Sequence, residues 1–336
     1  MTALLTVDNL SVEFWTSRGT VHAVNGISFS IGAGETLGIV GESGCGKSVT
    51  ALALMGILPR AARIPTGTVT LDGRDLPAQS EREWRHVRGK DVAMIFQDPM
   101  TSLNPVLTVG RQLRESIQAH FPVDKKESER RAADLLDRVG IPSAKARLRD
   151  YPHQFSGGMR QRAMIAMALA CEPKVLIADE PTTALDVTIQ AQILDLLRDL
   201  VTERGTALML ITHDLGVVAG TCERVNVMYA GTLVETGTAE ELFAEPRHPY
   251  TLGLLQSIPR LDTGRKQKLH PIAGSPRNML SAPSSCPFAP RCPFRIDRCV
   301  TELPRLETGL SARQLACFNP APADEWQRTR LGGSAA

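Results

Sequence analysis

The chain has 336 residues, of which 43% are hydrophobic and 22% are charged, and its formal net charge is +2. These values are ordinary for a globular protein, and the length suits one large domain with a smaller appendage. The small net charge indicates no general affinity for nucleic acid, and no apolar run approaches the length of a membrane span. The amino terminus lacks the basic and apolar regions of a signal peptide, so we expect a cytoplasmic protein whose seven cysteines are not interpreted first as disulfides.

The chain begins with stretches that alternate like β-strands. Residues 5–14 and 26–31 both alternate between apolar and polar side chains, and they predict an antiparallel β layer. Phe14 and Trp15 are expected on the turn between these two strands. A short buried strand is predicted next, at residues 36–40.

A glycine-rich loop, residues 41–48, joins that strand to an apolar helix predicted over residues 49–58. The loop has the sequence GESGCGKS and matches G-x-x-x-x-G-K-[ST], the phosphate-binding pattern. Its glycines let backbone N–H groups point at phosphate oxygens, and the helix adds the positive end of its dipole. Lys47 supplies a mobile charge for the β- and γ-phosphates, and the Ser48 hydroxyl can ligate Mg²⁺. Because a chance match has a probability of roughly one in a hundred, the loop predicts nucleotide binding.

An aromatic side chain upstream of such a loop could stack on an adenine ring, or it could simply pack at a strand end. We favour stacking, by either Phe14 or Trp15, and His22 stays open as a further alternative.

Further elements follow before the next motif. Residues 66–72 predict a strand, and residues 91–96 predict a buried strand that ends at Gln97. Residues 109–139 predict a long polar helical region. Its charge run, residues 124–131, is most simply a solvated helix face.

Ser156, Gly157 and Gly158 stand at the start of a predicted helix that continues as an apolar run, residues 164–171. A helix amino terminus preceded by two glycines is a second geometry suited to anions. One chain cannot easily wrap both sites around the same nucleotide, so the second is expected to serve the ligand of another subunit.

Two carboxylates end an apolar strand predicted at residues 174–180. Asp179 is placed to hold Mg²⁺ through water, and Glu180 can polarise an attacking water molecule. Alone, the pair would be interpreted as a helix N-cap, but together with a phosphate-binding loop the catalytic interpretation is favoured. A strand predicted at residues 206–212 ends at His213, and ligands bind at that end of the strands in parallel α/β sheets.

Six ordered motifs resemble those of ABC-type ATPase subunits over about the first 240 residues. They are residues 41–48, Gln97, residues 156–158, residues 179–180, residues 184–186 and His213. The resemblance implies an α/β fold, namely an ABC-type P-loop ATPase domain with a RecA-like core, an antiparallel β subdomain and a helical subdomain. It also implies two such domains that sandwich two ATP molecules head to tail.

The same resemblance implies a role for each matching residue. Glu180 would be the general base, His213 would contact the γ-phosphate, and Gln97 would reach Mg²⁺ and the attacking water. Asp186 would communicate across the dimer. The implied Mg²⁺ ligands are Ser48, Gln97 and Asp179. The implied ATP-binding residues are Gly41, Glu42, Ser43, Gly44, Cys45, Gly46, Lys47, Ser48, Thr50 and Phe14.

The signature residues, which would face the partner's ATP, are Ser156, Gly157, Gly158 and Met159. The family's commonest form is Leu-Ser-Gly-Gly-Gln, whereas this chain has Phe155 and Met159 at the ends of the motif. The residues that face phosphate are retained, so we expect no loss of function.

Three longer segments carry a narrower resemblance, to the ATPases of oligopeptide and dipeptide importers. They are residues 97–105, 151–162 and 247–251. This resemblance implies ATP hydrolysis that drives peptide import, by a subunit at the cytoplasmic face of the inner membrane. The implied partners are two permease subunits, a substrate-binding protein and a second ATPase, a paralogue in preference to a copy, with no nucleic acid.

Three other functions were considered. Importers of nickel or glutathione belong to the same family and differ only in the molecule that they transport. A soluble ABC ATPase acting on DNA or ribosomes is disfavoured because no heptad repeat separates Ser48 from Ser156 and the chain has one cassette. A binding module without ATPase activity is disfavoured by Glu180.

Four cysteines cluster near the carboxyl terminus, at Cys286, Cys292, Cys299 and Cys317. In a cytosolic chain they suggest a metal or cluster site. Their spacing lacks the close pairs of structural zinc sites and suits a [4Fe–4S] cluster at least as well. Peptide-importer ATPases carry such a cluster in this region, so the resemblance implies one here, followed by Zn²⁺ and then by unligated thiols as alternatives.

Residues 259–285 are rich in proline, serine and glycine and predict a linker. We therefore expect an ABC ATPase domain at residues 1–258 and a small loop-rich extension at residues 259–336. An extension of this size is too small to fold on its own core, and a metal site would stabilise it.

Overall fold

A computed structural model describes residues 3–76, 80–183, 185–258, 271–308 and 313–330 of the protein. The first residue of the 184–186 motif and residues 259–270 of the predicted linker lie outside this described part. The strands are β1 (Ala3–Thr16), β2 (Gly19–Gly32), β3 (Thr36–Val40), β4 (Ala62–Arg63), β5 (Thr68–Leu71), β6 (Arg74–Asp75), β7 (Val92–Ile95), β8 (Val175–Asp179), β9 (Ala207–Thr212), β10 (Arg224–Tyr229), β11 (Thr232–Thr238), β12 (Glu307–Thr308) and β13 (Gln314–Leu315).

The helices are α1 (Lys47–Leu54), α2 (Glu81–Val87), α3 (Pro99–Ser102), α4 (Val109–His120), α5 (Lys125–Arg138), α6 (Ala144–Arg147), α7 (Gly157–Leu169), α8 (Val187–Arg204), α9 (Leu215–Thr221), α10 (Ala239–Ala244), α11 (Pro249–Gln256), α12 (Arg298–Thr301) and α13 (Ala323–Arg330). Short 3₁₀ turns occupy Pro152–Gln154 and Ala289–Arg291. No helix in the described ranges is both long and apolar enough to cross a membrane.

The chain divides into two compact units. The first unit comprises Met1–Leu5, Ile31–Glu35 and Leu71–Leu210. The second unit comprises Thr6–Ser30, Thr36–Thr70 and Ile211–Ala336. Because this division follows contacts in space, it does not test the predicted boundary at residue 258, which stays a prediction.

The first unit is built on parallel strands with buried side chains. β7 pairs in parallel with β8, with Val92 opposite Val175, and residues 207–210 of β9 lie on the other side of β8. Every residue of β7 and β8 is buried, as expected for a parallel sheet covered on both faces. This register brings the carboxyl ends of β7 and β8 side by side.

Polar side chains start the main helices of the first unit. Each capping oxygen accepts the backbone N–H three residues later, a donor that the helix itself cannot satisfy. The capping residues are Ser80, Thr108, Asp124, Ser156 and Asp186. The helical region predicted at 109–139 is two helices, because α4 ends at His120 and the chain turns through Pro122 before α5.

The second unit contains two sheets. One has the order β2-β1-β5, with β4 antiparallel to β1 and Phe14 opposite Ala62. The other has the order β12-β13-β11-β10-β3, in which β10 is parallel to β3 and antiparallel to β11. The predicted turn position of Phe14 and Trp15 is wrong, because β1 continues to Thr16 and includes both residues.

A buried carboxylate connects β11 to the carboxyl-terminal residues of the second unit. Glu235 is fully buried, accepts the N–H groups of Arg247 and His248 at 3.0 Å each, and forms an ion pair with Arg313. His248 is also buried, and its Nδ1 accepts the Tyr250 N–H at 3.1 Å at the start of α11. Burial lowers the pKa of His248 to about 4, against the opposing effect of Glu235, so this side chain is neutral at pH 7.

We expect acid to destabilise the protein through His248. Between pH 6.5 and pH 4 the unfolded chain binds a proton here that the folded chain excludes, so stability falls as the pH falls through this window. A pKa difference of this size corresponds to about 3 kcal/mol. His248→Asn keeps an N-cap acceptor, and it should reduce the loss of unfolding free energy between pH 7 and pH 4, measured by urea titration, by about that amount.

The control for this measurement is His153→Asn, because His153 is exposed. Its loss of stability in acid should match that of the unsubstituted chain. An equally steep loss in His248→Asn would contradict the assignment to His248.

Candidate functional site

The phosphate loop, residues 41–48, lies between β3 and α1, which confirms the predicted order of strand, loop and helix. Gly46 is the N-cap of α1 with a φ of 108°, and no side chain of a described residue caps this helix. The first turn of α1 therefore presents backbone N–H groups at the loop, where an anion can accept them.

Lys47 is buried and folds back over the loop. Its Nζ donates to the carbonyl oxygens of Gly41 at 2.8 Å and Glu42 at 3.0 Å, and it lies 3.9 Å from Cys45 Sγ. Burial raises the pKa of the Cys45 thiol, so the sulfur beside the ammonium is uncharged. A positive charge among neutral acceptors, at the amino terminus of a helix, suits a triphosphate. The residues of the loop therefore fit ATP.

The loop backbone passes close to neighbouring strands of the second unit. A Cβ at Gly46 would stand 2.5 Å from the Ala23 carbonyl oxygen, and one at Gly41 would overlap the carbonyl oxygen of Met228. At Gly44, by contrast, a Cβ would meet no described atom within 4 Å. Glycine is therefore required at positions 41 and 46 by the space available as well as by backbone conformation.

Two residues with no role predicted from the sequence hold the start of the loop. The Glu42 N–H donates to Tyr250 Oη at 2.8 Å, and the Glu42 carboxylate forms an ion pair with Arg291 at 2.6 Å. Tyr250 lies in the importer-like segment 247–251, and this was the only signal that could have pointed to it. Arg291 carries no such signal, because its contact with the loop spans 249 residues.

Gln97 and Glu180, predicted separately, lie together in the first unit. The register of β7 and β8 places them at adjacent strand ends, and Gln97 Nε2 donates to Glu180 Oε2 at 3.0 Å. Thr183, which the sequence did not single out, donates its hydroxyl to the same oxygen at 2.9 Å. Asp179, the predicted Mg²⁺ ligand, is the buried last residue of β8.

The backbone of Glu180 has a φ of 46°, in the left-handed region that favours glycine. A non-glycine residue held there costs of order 1–3 kcal/mol, and such positions cluster at functional sites. The two hydrogen bonds on Oε2 hold the side chain that this turn presents.

The predicted signature residues begin α7 in the first unit. Ser156 is the N-cap and its hydroxyl accepts the Met159 N–H at 3.3 Å, while Ser156 and Gly157 are both exposed. A Cβ at Gly158 would stand 3.2 Å from Ile189 of α8, so the first turns of α7 and α8 are neighbours. Asp186, the exposed N-cap of α8, therefore lies near the signature at one surface of this unit.

The remaining predicted contacts of ATP lie in the second unit. His213 is exposed directly after β9, and Thr50 is buried in α1, where its hydroxyl donates to the Gly46 carbonyl oxygen at 3.0 Å. Phe14 is half-buried, and the exposed Trp15 is covered on one face by Arg63, with the guanidinium carbon 4.6 Å from the ring centroid.

The adenine-stacking residue stays a prediction. The third candidate, His22, pairs with Glu13 at 3.2 Å.

The predicted [4Fe–4S] cluster is wrong. In the part of the chain that the structure describes, which includes all four cysteines, no group of three or more His, Cys, Asp or Glu side chains could hold a metal ion. The same observation gives no support to the Zn²⁺ alternative.

The carboxyl-terminal segment is held by packing and hydrogen bonds. β13 adds to the edge of β11, the buried Phe288 packs in the second unit, and Trp326 Nε1 donates to the Phe243 carbonyl oxygen at 2.9 Å. The Cys286 N–H donates to the carbonyl oxygens of Cys299 at 3.1 Å and Glu302 at 3.0 Å. The expectation that a metal site would stabilise this segment treated it as an appendage without a core of its own, whereas these contacts pack it within the second unit.

Two family models match the chain. Residues 24–183 match the model described as ABC transporter, and residues 234–299 match the model described as oligopeptide/dipeptide transporter, C-terminal region. The dipeptide transport ATP-binding protein DppD of Bacillus subtilis is 54% identical over 300 residues, which are 89% of either chain. The oligopeptide transport ATP-binding protein OppD of Salmonella typhimurium is 53% identical over 317 residues, which are 94% of either chain.

Solved structures resemble the fold over most of its length. The dimeric ATP-binding cassette MJ0796, in a post-hydrolysis state bound to ADP and Pi, has a TM-score of 0.64 and 25% identity, and the match covers 70% of this chain and 98% of that one. The protein cbiO1 of Clostridium perfringens, part of the ABC transporter complex cbiONQ, has a TM-score of 0.62 and 31% identity, with 73% and 92% covered. Both likenesses confirm the predicted fold class.

The close approach at Gly46 gives a stability prediction. Gly46→Ala would push a Cβ against the Ala23 carbonyl oxygen, whereas Gly44→Ala adds a Cβ in open space at a residue that also has a positive φ. Because both variants share the conformational cost, the steric term should make Gly46→Ala less stable than Gly44→Ala by about 2 kcal/mol. Urea unfolding of the two variants measures this difference, and equal stabilities would contradict the steric argument.

Proposed function

This chain belongs to the ABC transporter ATP-binding proteins of the oligopeptide/dipeptide family, and from that membership we propose that it hydrolyses ATP to drive the import of peptides across a membrane. One observation carries the proposal, namely the similarity to two peptide transport ATP-binding proteins. DppD is 54% identical over 89% of this chain, and OppD is 53% identical over 94% of it. Both relatives are named for peptides, which favours a peptide cargo over nickel or glutathione.

The phosphate loop is proposed to bind and orient ATP. Lys47 and the first turn of α1 supply the positive charge and the N–H groups that a triphosphate accepts. When bound, Mg-ATP supplies the phosphoanhydride bond that is cleaved and a metal that neutralises the charge developing on the phosphates. Ser48, Gln97 and Asp179 are proposed to hold the Mg²⁺ ion.

Glu180 is proposed to be the general base. Gln97 and Thr183 both donate to its Oε2, so the carboxylate is held in one orientation. In this role Glu180 takes a proton from the attacking water, and Gln97 also positions that water. His213 is proposed to contact the γ-phosphate.

A second ATPase subunit is proposed to complete each site. Ser156 and Gly157 are exposed at the amino terminus of α7, where an anion from another subunit can reach them, and the exposed Asp186 lies close by. This surface suits contact with the ATP of a partner, which we propose is a paralogue. ATP binding would then draw the two subunits together.

Membrane permease subunits are the other implied partners. We propose that the protein is peripheral at the cytoplasmic face of the membrane, on two permeases that receive peptide from a substrate-binding protein. The segment 97–105 is the proposed permease contact, and its exposed Met100 offers an apolar side chain for it. No nucleic acid is expected to bind.

We expect Glu180→Gln to slow ATP hydrolysis by about 10²- to 10⁴-fold, the usual contribution of a positioned base. ATP binding should be retained, because the amide keeps the size of the side chain and Lys47 is untouched. Steady-state hydrolysis and ATP binding would be measured on the assembled transporter. A rate within threefold of the unsubstituted complex would remove Glu180 from this role.

Lys47→Ala is the comparison for that experiment. It removes the positive charge held inside the phosphate loop, so we expect it to weaken ATP binding itself. An unchanged affinity would contradict the proposed cradle.

Membrane association tests the transport proposal directly. We expect the protein to appear in the membrane fraction when the permease subunits are co-expressed and to leave it when they are omitted. Substitution of Met100 by Asp should reduce this association, while Val300→Asp, at another exposed apolar residue, should leave it unchanged. Absence from membranes in the presence of the permeases would argue for a soluble ABC ATPase.

A further inference from the structure

The phosphate loop carries a negative side chain at its second position, Glu42, although the loop is proposed to bind a polyanion. A carboxylate in such a loop repels phosphate through space, because Coulomb interactions near a protein surface are only partly screened. An ATP site with this sequence therefore needs a compensating positive charge, in addition to Lys47, which already donates to two loop carbonyls.

Arg291 supplies that charge from the carboxyl-terminal part of the second unit. Its Nη1 donates to Glu42 Oε2 at 2.6 Å and its Nη2 to Oε1 at 3.0 Å, a two-pronged contact. Only 4% of the Arg291 side chain is exposed. This contact raises the pKa of the guanidinium above its ordinary value, so the arginine is always charged.

The guanidinium is fixed by more than its carboxylate partner. It donates to the carbonyl oxygens of Ala273 at 2.9 Å and Ile272 at 3.2 Å. It also lies 5.8 Å from the ring centroid of Tyr229 and 6.0 Å from that of Phe288. These contacts hold the positive charge of Arg291 in one position, next to the Glu42 carboxylate.

The loop backbone is held by the same group of side chains. Tyr250 accepts the Glu42 N–H, and its ring lies 4.6 Å from Tyr229 and 5.4 Å from Phe288, measured between centroids. Both the main chain and the side chain of Glu42 are thus fixed by carboxyl-terminal residues of the second unit.

From these contacts we propose that Arg291 is a positioning residue for ATP binding. It neutralises the Glu42 carboxylate and holds it against the carboxyl-terminal segment, and in this way it sets the affinity of the phosphate loop for the phosphates of ATP. The inference rests on the proposed ATP site and adds to it a residue outside the nucleotide motifs.

The test measures the dissociation constant of Mg-ATP with the full-length chain. Arg291→Gln removes the charge but keeps a hydrogen-bonding side chain, and it should weaken ATP binding roughly tenfold or more, because the carboxylate is left uncompensated. Arg291→Lys keeps the charge and should stay within threefold of the unsubstituted chain. The double variant Arg291→Gln/Glu42→Gln removes both charges and should recover to within threefold as well.

This recovery separates an electrostatic role from a structural one. If Arg291 only braced the fold or touched ATP itself, the second substitution would not restore the affinity, and failure of the rescue would overturn the proposal. Unchanged affinity in Arg291→Gln would overturn it too. Urea unfolding of each variant, followed alongside, shows which chains are folded. If Arg291→Gln is not folded, the double variant decides, because an affinity more than tenfold weaker than that of the unsubstituted chain would overturn the proposal.

Arg298→Gln is the matched control. Arg298 lies in the same part of the chain and pairs with Glu302 at 2.8 Å. Both side chains are more than half exposed, and the partner of Arg298 is not a residue of the phosphate loop. Its ATP affinity should equal that of the unsubstituted chain. If the unsubstituted chain itself does not bind Mg-ATP, the proposed function fails, and this result is distinct from a failure of Arg291.

Discussion

The close approach of the phosphate loop to its neighbouring strands is the constraint on which the rest of the proposed ATP site depends. β10 runs parallel to β3 and carries Met228 beside Gly41, while Ala23 lies beside Gly46. The carbonyl groups of these neighbours leave no space for a Cβ. The loop is thereby supported on one side by backbone, and it leads directly into Lys47 and the first turn of α1. The arrangement depends on the parallel pairing of β3 with β10, which places the start of the loop next to Met228.

Local sequence predicted the parts of the site that depend on neighbours along the chain. The order of strand, loop and helix around Lys47 follows from hydrophobic periodicity and from glycine, and both are properties of short stretches. Gln97 and Glu180 were each predicted at a strand end, but their hydrogen bond depends on β7 and β8 being adjacent and in register. The left-handed backbone of Glu180 and the contact from Thr183 belong to the turn that follows β8, three residues along the chain. Hydrophobic periodicity does not specify them, because both depend on the backbone angles of the turn.

The sequence failed where the arrangement of side chains in space decides the chemistry. Four cysteines in a proline-rich segment have the composition of a metal site, yet among the described residues no group of three or more His, Cys, Asp or Glu side chains could hold a metal ion. Composition also suggested a segment that could not fold unaided. It did not show that β13 would extend an existing sheet at Glu235, a pairing that attaches the segment to the second unit through backbone hydrogen bonds.

The same contacts change how the carboxyl-terminal segment is understood. Tyr250 and Arg291 meet Glu42 across 208 and 249 residues of chain, so the start of the phosphate loop is built partly from sequence far outside the nucleotide motifs. Because Glu42 places a negative charge where phosphate is proposed to bind, the loop cannot be considered complete without the arginine that neutralises it. The second family match, residues 234–299, contains both Tyr250 and Arg291. The segment that matches the oligopeptide/dipeptide transporter model therefore also contacts the loop that is proposed to bind ATP. Substitutions of Tyr250 or Arg291 in this segment are then expected to change the affinity for ATP.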